Sequence, residues 1–144
     1  STRNTNISFF AEGHWVEGLC VHYAMLANRS SKWNFVLDGP QNVQYARYFP
    51  GQHYKPHKDD TIQPNVSQTM RKLSVSIQLS DPDSYSGGDF VIEDNTPGIF
   101  NKLLKFRKRG SVIVFPSLVT HGVEPVIQGV RHSVVCWVTG PNFR

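Results

Sequence analysis

The sequence predicts a mostly β domain, built as a sandwich or barrel, with one helix near its N-terminus. Apolar residues recur at steps of three and four over residues 11–28, which is the spacing of a helix. From Val43 onward the spacing changes to two, and short runs of β-branched and aromatic residues alternate with turns that contain Gly or Pro. One helix followed by many short strands favours a sandwich or barrel over an alternating βαβ sheet.

The predicted helix carries an apolar stripe that we expect to face the core. Its members are Trp15, Leu19, Tyr23 and Leu26. Two glycines in the segment lower its helix propensity. We expect one domain over residues 1–144, in which a helical support of about residues 1–42 precedes a strand-rich part of about residues 43–143.

Strict alternation marks one strand most clearly. Over residues 73–79 the apolar side chains of Leu73, Val75, Ile77 and Leu79 alternate with two serines and a glutamine, which predicts a half-buried strand. Four further runs are predicted as strands: residues 43–49, 90–93, 112–115 and 133–138. Two long polar stretches, residues 60–69 and 95–101, are predicted as loops, where binding surfaces often lie.

Composition excludes several classes of protein. With 39% hydrophobic and 18% charged residues the chain is not disordered as a whole, and it has no apolar run near the roughly 20 residues that cross a bilayer. Cys20 and Cys136 are too few for a disulfide scaffold, and the start of the sequence shows no leader pattern. We therefore expect a cytoplasmic protein without a membrane segment. A net charge of +4 permits an acidic partner without requiring one.

A candidate metal site comes from two separated stretches of sequence. His57 and Asp59 are two residues apart in an extended segment and therefore project to the same side. His121 follows the strand predicted at residues 112–115 and a short turn, so it can supply a third ligand. Two imidazoles and one carboxylate form a facial triad that suits non-haem Fe(II) and leaves coordination positions open. A His-x-Asp tripeptide also occurs by chance, so its surroundings matter.

Ten residues after His121, Arg131 opens a strand in which Arg131, Ser133 and Trp137 share one face. The planar guanidinium of arginine matches a carboxylate, so Arg131 could bind the far carboxylate of a dicarboxylic co-substrate whose near end chelates the metal. Ser133 could add a hydroxyl donor. The alternative for Arg131 is an ordinary surface salt bridge. Glycine loops for phosphate, a G-x-S-x-G elbow and an H-E-x-x-H helix are all absent from the sequence.

These motifs resemble the prolyl 4-hydroxylases, which are Fe(II)/2-oxoglutarate-dependent dioxygenases. The resemblance covers about residues 43–143. It is carried by YFPGQHYKPHKD over residues 48–59, RKLSVSIQLS over 71–80, SGGDF over 86–90, GSVIVFPS over 110–117 and HGVEPV over 121–126. The runs LSDPDSYSGG over 79–88 and VIED over 91–94 are especially similar to bacterial hydroxylases of the PKHD type.

The resemblance implies a double-stranded β-helix, the jelly roll shared with cupins, whose open end holds the metal. It implies His57, Asp59 and His121 as iron ligands and Arg131 as the partner of 2-oxoglutarate. Tyr48 matches a tyrosine that helps to hold 2-oxoglutarate, and its alternative is a packed strand aromatic. Three further residues match positions on the substrate side, where a core or solvated role is the alternative: Tyr54, Arg71 and Trp137.

The function implied is hydroxylation of a protein or peptide, with a prolyl residue as the expected substrate. Dioxygen and 2-oxoglutarate are consumed, succinate and carbon dioxide are formed, and ascorbate is an accessory reductant that the resemblance allows. An AlkB-type nucleic-acid demethylase is the rival enzyme, because RYFPG over residues 47–51 and His57-x-Asp59 have similar forms there. That group normally places its terminal arginines further beyond the distal histidine. A cupin-like protein that binds metal without turnover is the second alternative.

A basic cluster lies near a predicted hairpin. Its members are Lys102, Lys105, Arg107, Lys108 and Arg109. The ordinary explanation of such a cluster is a solvated face, and the sharper hypothesis is docking of an acidic protein or RNA.

Overall fold

A computed structural model describes residues 2–60 and 69–143 of the chain, and these residues form a mostly β structure with one α-helix. The helix is α1 (Trp15–Ser30). The strands are β1 (Arg3–Asn4), β2 (Asn6–Phe9), β3 (Gly39–Pro40), β4 (Gln44–Tyr48), β5 (His53–His57), β6 (Thr69–Gln78), β7 (Tyr85–Gly87), β8 (Phe90–Glu93), β9 (Phe100–Lys102), β10 (Val112–Pro116), β11 (His121–Val123), β12 (Val126–Gly129) and β13 (Arg131–Pro141). Two single-turn 3-10 helices lie at Pro82–Ser84 and Leu104–Arg107.

The strands form two antiparallel sheets and a short ribbon. The larger sheet has the order β10-β6-β13-β4-β2, with β3 also paired to β13, and the smaller sheet has the order β1-β5-β11-β8-β9. The ribbon pairs β7 with β12. Ala46 and Phe115 from the larger sheet and Phe90 and Val123 from the smaller sheet belong to one buried cluster, so the two sheets face each other. This arrangement is the predicted jelly roll, or double-stranded β-helix.

Helix α1 packs on the outer face of the larger sheet through a face that only partly matches the predicted stripe. Val16, Cys20 and Ala24 are buried against the sheet, whereas Trp15 is 73% exposed and Leu26 is 49% exposed. Leu19 of the predicted stripe packs against this core, whereas the prediction was wrong for Trp15 and Leu26. Cys20 and Ala24 have short side chains and are fully buried between the helix and the sheet.

Strand β6 is buried on both faces rather than on one. Leu73 and Val75 pack toward the helix and are fully buried. Ser74 and Ser76, on the opposite face, are only 1% and 6% exposed because they face the space between the two sheets. The prediction of a half-buried strand was therefore wrong: its polar side chains line an internal cavity instead of meeting solvent.

The other predicted strands are present, with some changes at their ends. Residues 90–93 form β8 as predicted, and β4, β10 and β13 contain or overlap the other three runs. The loop predicted at residues 95–101 is shorter, because Phe100 already begins β9, which forms a hairpin with β8. The loop predicted at residues 60–69 falls mainly on residues 61–68, which lie outside the described residues.

The N-terminal part contributes more than a helix. Strand β1 extends the smaller sheet beside β5, and β2 forms an edge of the larger sheet beside β4. These strands were not predicted, since all four residues of β2 are exposed and show no apolar alternation that buries one face. Within residues 2–60 and 69–143, no helix has the length and apolar composition needed to cross a membrane.

Candidate functional site

Three candidate metal ligands converge at one end of the space between the sheets. His57 ends β5, His121 begins β11, and the two residues are direct partners in the antiparallel pairing. Asp59 follows two residues after His57, and its backbone N–H donates to the Ser117 carbonyl at 2.8 Å. The Asp59 carboxylate oxygens lie 3.1 Å from His57 Nε2 and 3.2 Å from His121 Nε2. One ligand atom from each residue lies within 4.8 Å of the other two.

Backbone carbonyls fix the orientation of both imidazoles. Nδ1 of His57 lies 2.7 Å from the Lys55 carbonyl, and Nδ1 of His121 lies 2.9 Å from the Val119 carbonyl. Because a carbonyl only accepts, each Nδ1 carries the proton, and each Nε2 is left to face the carboxylate. Each Nε2 and the Asp59 carboxylate can therefore share a proton or a metal cation between them.

The Asp59 carboxylate is buried and ionised. Burial alone would raise the pKa of this carboxyl, but the neighbouring imidazoles of His121 and His57 lower it well below its usual range. The Ser74 hydroxyl donates to the Asp59 carboxylate at 2.8 Å, and Ser117 Oγ lies 2.9 Å from Ser74 Oγ. A chain of two hydroxyls therefore fixes the carboxylate from the side of the larger sheet.

Close packing holds the rings in place. The His57 ring stacks on Tyr54 with centroids 3.5 Å apart and an interplanar angle of 9°. The His121 ring contacts Phe90 and Phe115, at centroid distances of 5.7 and 4.5 Å. Gly122 lets β11 approach β5, because a Cβ at this position would lie 2.7 Å from the Tyr54 carbonyl oxygen. A larger residue would separate the two strands that carry the histidines.

The donor set fits a divalent metal ion. His57 Nε2 and His121 Nε2 lie 3.1 and 3.2 Å from different oxygens of the Asp59 carboxylate, and one donor atom of each residue lies within 4.8 Å of the other two, so a single ion could contact all three residues. Two imidazoles and one carboxylate on one side of an ion form the facial triad that suits non-haem Fe(II). The remaining coordination positions would face the cavity between the sheets.

The cavity has a volume of about 460 Å³, its open mouth included. It is lined by His57, Asp59 and His121 from the metal site and by Arg131 and Ser133 from β13. The sheet architecture therefore brings the predicted ligands and the predicted co-substrate residues to one narrow space.

Arg131 is a buried cation on the cavity wall. It is 2% exposed, and among the described residues no carboxylate lies within 4.0 Å of its guanidinium. Burial lowers the pKa of this guanidinium, whereas the nearby Tyr48 and Tyr85 raise it. A buried charge of this kind needs an anionic partner. The surface salt bridge considered as the alternative for Arg131 is therefore absent from the part of the chain that the structure describes.

Tyr48 and Ser133 lie beside Arg131. Tyr48 is the pairing partner of Arg131 on the neighbouring strand β4, and the Arg131 Cζ lies 5.5 Å from its ring centroid. Both Tyr48 and Ser133 are buried and line the cavity. Burial also raises the pKa of the Tyr48 hydroxyl, so the phenol is neutral.

The three residues expected on the substrate side have different positions. Tyr54 and Trp137 line the cavity. Arg71 is not among its lining residues in the described structure; its guanidinium lies over the Trp137 ring at 3.7 Å and its Nε donates to Gln41 Oε1 at 2.8 Å. Arg71 thus supports the cavity wall through Trp137.

Sequence reasoning missed two features of the site. Arg3 lines the cavity, lies over the Tyr54 ring at 4.8 Å and donates to Gln44 at 3.1 Å. No motif marks Arg3, because its position depends on the pairing of β1 with β5. The prediction of a half-buried strand places Ser74 toward solvent, but the structure buries it against the cavity, and the alternation of polar and apolar residues alone does not distinguish the two.

The basic cluster does not form one surface. Lys105, Lys108 and Arg109 are exposed. Lys102 forms ion pairs with Glu124 at 3.3 Å and Asp89 at 3.5 Å, and Arg107 is directed inward to Asp89 at 2.8 Å. Lys105, Lys108 and Arg109 are therefore the members of the cluster that a partner could contact without breaking an ion pair.

Comparison with known proteins agrees with this geometry. The family model of the 2OG-Fe(II) oxygenase superfamily matches residues 43–139. A PKHD-type hydroxylase of Synechococcus elongatus is 38% identical over 103 residues, which cover 69% of this chain and 44% of the relative. The chain thus spans less than half the length of the curated relatives it matches.

Solved structures show the same fold. A Pseudomonas putida prolyl-4-hydroxylase aligns with a TM-score of 0.73 and 20% identity over 96% of this chain and 73% of its own. A viral collagen prolyl hydroxylase from Paramecium bursaria Chlorella virus-1, in its 2OG complex, aligns with a TM-score of 0.70 and 24% identity over 97% of this chain and 81% of its own. With the family model matching most of its length, the chain belongs to the 2OG-Fe(II) oxygenase superfamily.

Proposed function

We propose that this chain is the catalytic domain of an Fe(II)- and 2-oxoglutarate-dependent hydroxylase. One observation carries the proposal: the cavity that presents the donor atoms of His57, Asp59 and His121 also contains the buried Arg131 guanidinium, which has no carboxylate partner among the described residues. A metal ion would supply the positive charge that the three donor residues can bind, and a dicarboxylate would supply the negative charge that Arg131 can bind.

Each residue has a defined task in this proposal. His57, Asp59 and His121 hold the metal, and the backbone carbonyls at Lys55 and Val119 keep the imidazole Nε2 atoms directed at it. Iron bound there supplies the dioxygen chemistry that converts 2-oxoglutarate to succinate and carbon dioxide while a C–H bond is hydroxylated.

The co-substrate end of the cavity is formed by β13 and β4. Arg131 binds the far carboxylate of 2-oxoglutarate through charge-assisted hydrogen bonds, and Ser133 and Tyr48 add their hydroxyl groups. Phe90 and Phe115 close the cavity with apolar walls, which keep water from the reacting centre and strengthen the electrostatic contacts inside it.

The substrate we propose is a prolyl residue of a protein or peptide. The curated relatives are PKHD-type hydroxylases, and the solved structures of the same fold are prolyl hydroxylases. Tyr54 and Trp137 line the cavity and would contact the substrate, with Arg71 behind Trp137. The cytoplasmic location and a role for ascorbate stay predictions.

Succinate formation tests the proposal directly. The purified chain is incubated with Fe(II), 2-oxoglutarate, air and proline-containing peptides, and succinate and peptide mass are measured. We expect succinate that depends on Fe(II) and dioxygen, and a peptide that gains one oxygen atom. Asp59→Ala should abolish succinate formation, whereas Asp38→Ala, which changes an exposed carboxylate, should not. Turnover that survives Asp59→Ala would show that the ligand assignment is wrong.

Two other outcomes separate the alternatives. Alkylated single-stranded DNA is supplied in a parallel reaction, and formaldehyde release without any peptide product would favour a nucleic-acid demethylase. Tight metal binding with no succinate under any condition would favour a metal-binding cupin without turnover.

A further inference from the structure

Tyr85 packs directly behind the buried guanidinium arm of Arg131. A Cβ at Gly88 would lie 3.3 Å from the Tyr85 ring and 3.5 Å from Arg131 Cδ, so these two side chains border the same small space. Tyr85 is 6% exposed and is not among the described residues that line the cavity. Burial lowers the pKa of the Arg131 guanidinium, and Tyr48 and Tyr85 oppose that lowering.

Two polar side chains hold Tyr85 from opposite sides. Gln78 Nε2 donates to the Tyr85 hydroxyl at 2.8 Å. The guanidinium of Arg107 lies over the Tyr85 ring, with its Cζ 4.2 Å from the ring centroid. All three side chains are shielded from solvent, Gln78 being 1% exposed and the Arg107 side chain 21% exposed. The Tyr85 ring therefore has a single defined position.

Arg107 also fixes the backbone around Tyr85. Its NH1 donates to the Gly87 carbonyl at 3.0 Å and to the Asp89 carboxylate at 2.8 Å. Its NH2 donates to the Pro82 carbonyl at 3.2 Å and to the Tyr85 carbonyl at 3.1 Å. One guanidinium thus binds four acceptors within residues 82–89, and a lysine in its place could not reproduce this planar pattern. Arg107, although part of the basic cluster in the sequence, therefore stabilises the internal structure.

The same segment leads to Arg131 through the backbone. Strand β7 pairs with β12, where Tyr85 lies opposite Gly129, and Arg131 follows two residues later. A Cβ at Gly129 would lie 2.2 Å from the Ser84 carbonyl oxygen, so the two segments are in close contact. Any shift of residues 82–89 would therefore move Arg131 as well.

We propose that Tyr85 and Arg107 are positioning residues that hold the Arg131 guanidinium at a fixed place in the cavity and thereby set the length of the dicarboxylic 2-oxo acid that binds. The inference rests on the proposed function, in which Arg131 binds the far carboxylate of 2-oxoglutarate. With the metal ligands fixed at one end and Arg131 at the other, an acid one methylene longer or shorter does not fit both. If Arg131 is no longer held in place, the protein distinguishes less between 2-oxo acids of different length.

The test measures binding rather than turnover. Isothermal titration of the Mn(II)-loaded protein gives dissociation constants for 2-oxoglutarate and for 2-oxoadipate, which is one methylene longer. The variants are Tyr85→Phe, which keeps the ring and removes the hydroxyl, and Arg107→Lys, which keeps the charge. The matched control is Lys108→Gln, an exposed neighbour in the basic cluster. Thermal unfolding midpoints are recorded for every variant.

Both variants should weaken 2-oxoglutarate binding by about tenfold, because a displaced Arg131 guanidinium would lose a charge-assisted hydrogen bond to the far carboxylate. The dissociation constant for 2-oxoadipate should stay within about twofold of the parent value. The ratio of the 2-oxoadipate constant to the 2-oxoglutarate constant should therefore fall in both variants. Lys108→Gln should match the parent for both acids. In turnover the apparent KM for 2-oxoglutarate should rise while kcat is retained. Constants unchanged in Tyr85→Phe, or equal losses for both acids, would overturn the inference. If the parent protein binds no 2-oxoglutarate, the proposed function and this inference both fail.

Discussion

His57 and His121 lie directly opposite each other on the neighbouring antiparallel strands β5 and β11. Opposite residues of an antiparallel pair project to the same face, with their Cβ atoms about 5 Å apart, so the pairing itself brings two imidazoles to one point. The Asp59 carboxylate then lies 3.1 and 3.2 Å from their Nε2 atoms. The metal site is therefore a consequence of strand register, and changes that alter register should alter metal affinity.

Removal of the Ser74 hydroxyl should weaken metal binding. Ser74 donates to the Asp59 carboxylate, and loss of such an outer contact typically costs about 10- to 100-fold in metal affinity. The measurement is Mn(II) titration of Ser74→Ala. Ser76→Ala is the control, because Ser76 lies on the same face of β6 and lines the same cavity without a hydrogen bond to a ligand residue. Equal losses in both variants would contradict this role of Ser74.

Arg131→Ala should mainly weaken binding of 2-oxoglutarate. A charge-assisted, two-pronged contact is lost, and we expect the apparent KM for 2-oxoglutarate to rise about 10- to 100-fold. The apparent KM of Arg131→Lys should lie between those of the parent and of Arg131→Ala, since lysine keeps the charge without the planar guanidinium. Steady-state succinate assays at varied 2-oxoglutarate give these values. A half-saturation value equal to that of the parent in Arg131→Ala would exclude the assigned contact.

Gly122→Ala should destabilise the protein, and Gly18→Ala should stabilise it. A Cβ at residue 122 would lie 2.7 Å from the Tyr54 carbonyl oxygen, whereas a Cβ at residue 18 meets nothing within 4 Å. We expect a loss of about 1–3 kcal/mol for the crowded site and a gain of about 0.5–1 kcal/mol in the exposed helix position. Urea unfolding measures both. Metal affinity should fall only in Gly122→Ala, because that strand carries His121.

His132 should make folding stability depend on pH. Burial and the nearby Arg47 cation lower the pKa of His132 in the folded protein, and its Nδ1 lies 2.5 Å from the Tyr45 hydroxyl. The unfolded chain, whose histidine pKa is about 6.5, then binds protons more readily. The contribution of His132 to folding stability is therefore complete above the pKa of the unfolded chain. It is lost as the pH falls through the lowered pKa of the folded protein.

The check is the free energy of unfolding of the metal-free protein between pH 7.5 and pH 5. His132→Gln should flatten its decline with acidification, whereas His22→Gln, a change at an exposed helix position, should leave the slope unaltered. A slope in His132→Gln as steep as that of the parent would contradict the assignment.

The common direction of His57 and Asp59 depends on local geometry, whereas His121 joins them only through the pairing of β11 with β5. His57 and Asp59 are two residues apart in extended chain, and the structure places both beside the same point with His121. Arg131 and Ser133 likewise share a face of one strand, and both line the cavity.

The features that sequence could not supply depend on packing between distant segments. Arg3 reaches the cavity only because a two-residue strand pairs with β5. The buried face of α1 is set by the small side chains of Cys20 and Ala24, whereas hydrophobicity alone favoured the exposed Trp15. Ser74 is buried because the opposite sheet covers it, and a polar residue at alternate positions gives no sign of whether it meets solvent or a cavity.

The central claim is that three side chains hold a metal at one end of a cavity while Arg131 holds a dicarboxylate within it. A crystal structure of the chain with Mn(II) and 2-oxoglutarate, prepared without dioxygen, measures both at once. We predict Mn(II) bound by His57 Nε2, the Asp59 carboxylate and His121 Nε2, with the far carboxylate of 2-oxoglutarate hydrogen-bonded to Arg131. Metal bound elsewhere, or a far carboxylate directed into solvent away from Arg131, would contradict the claim.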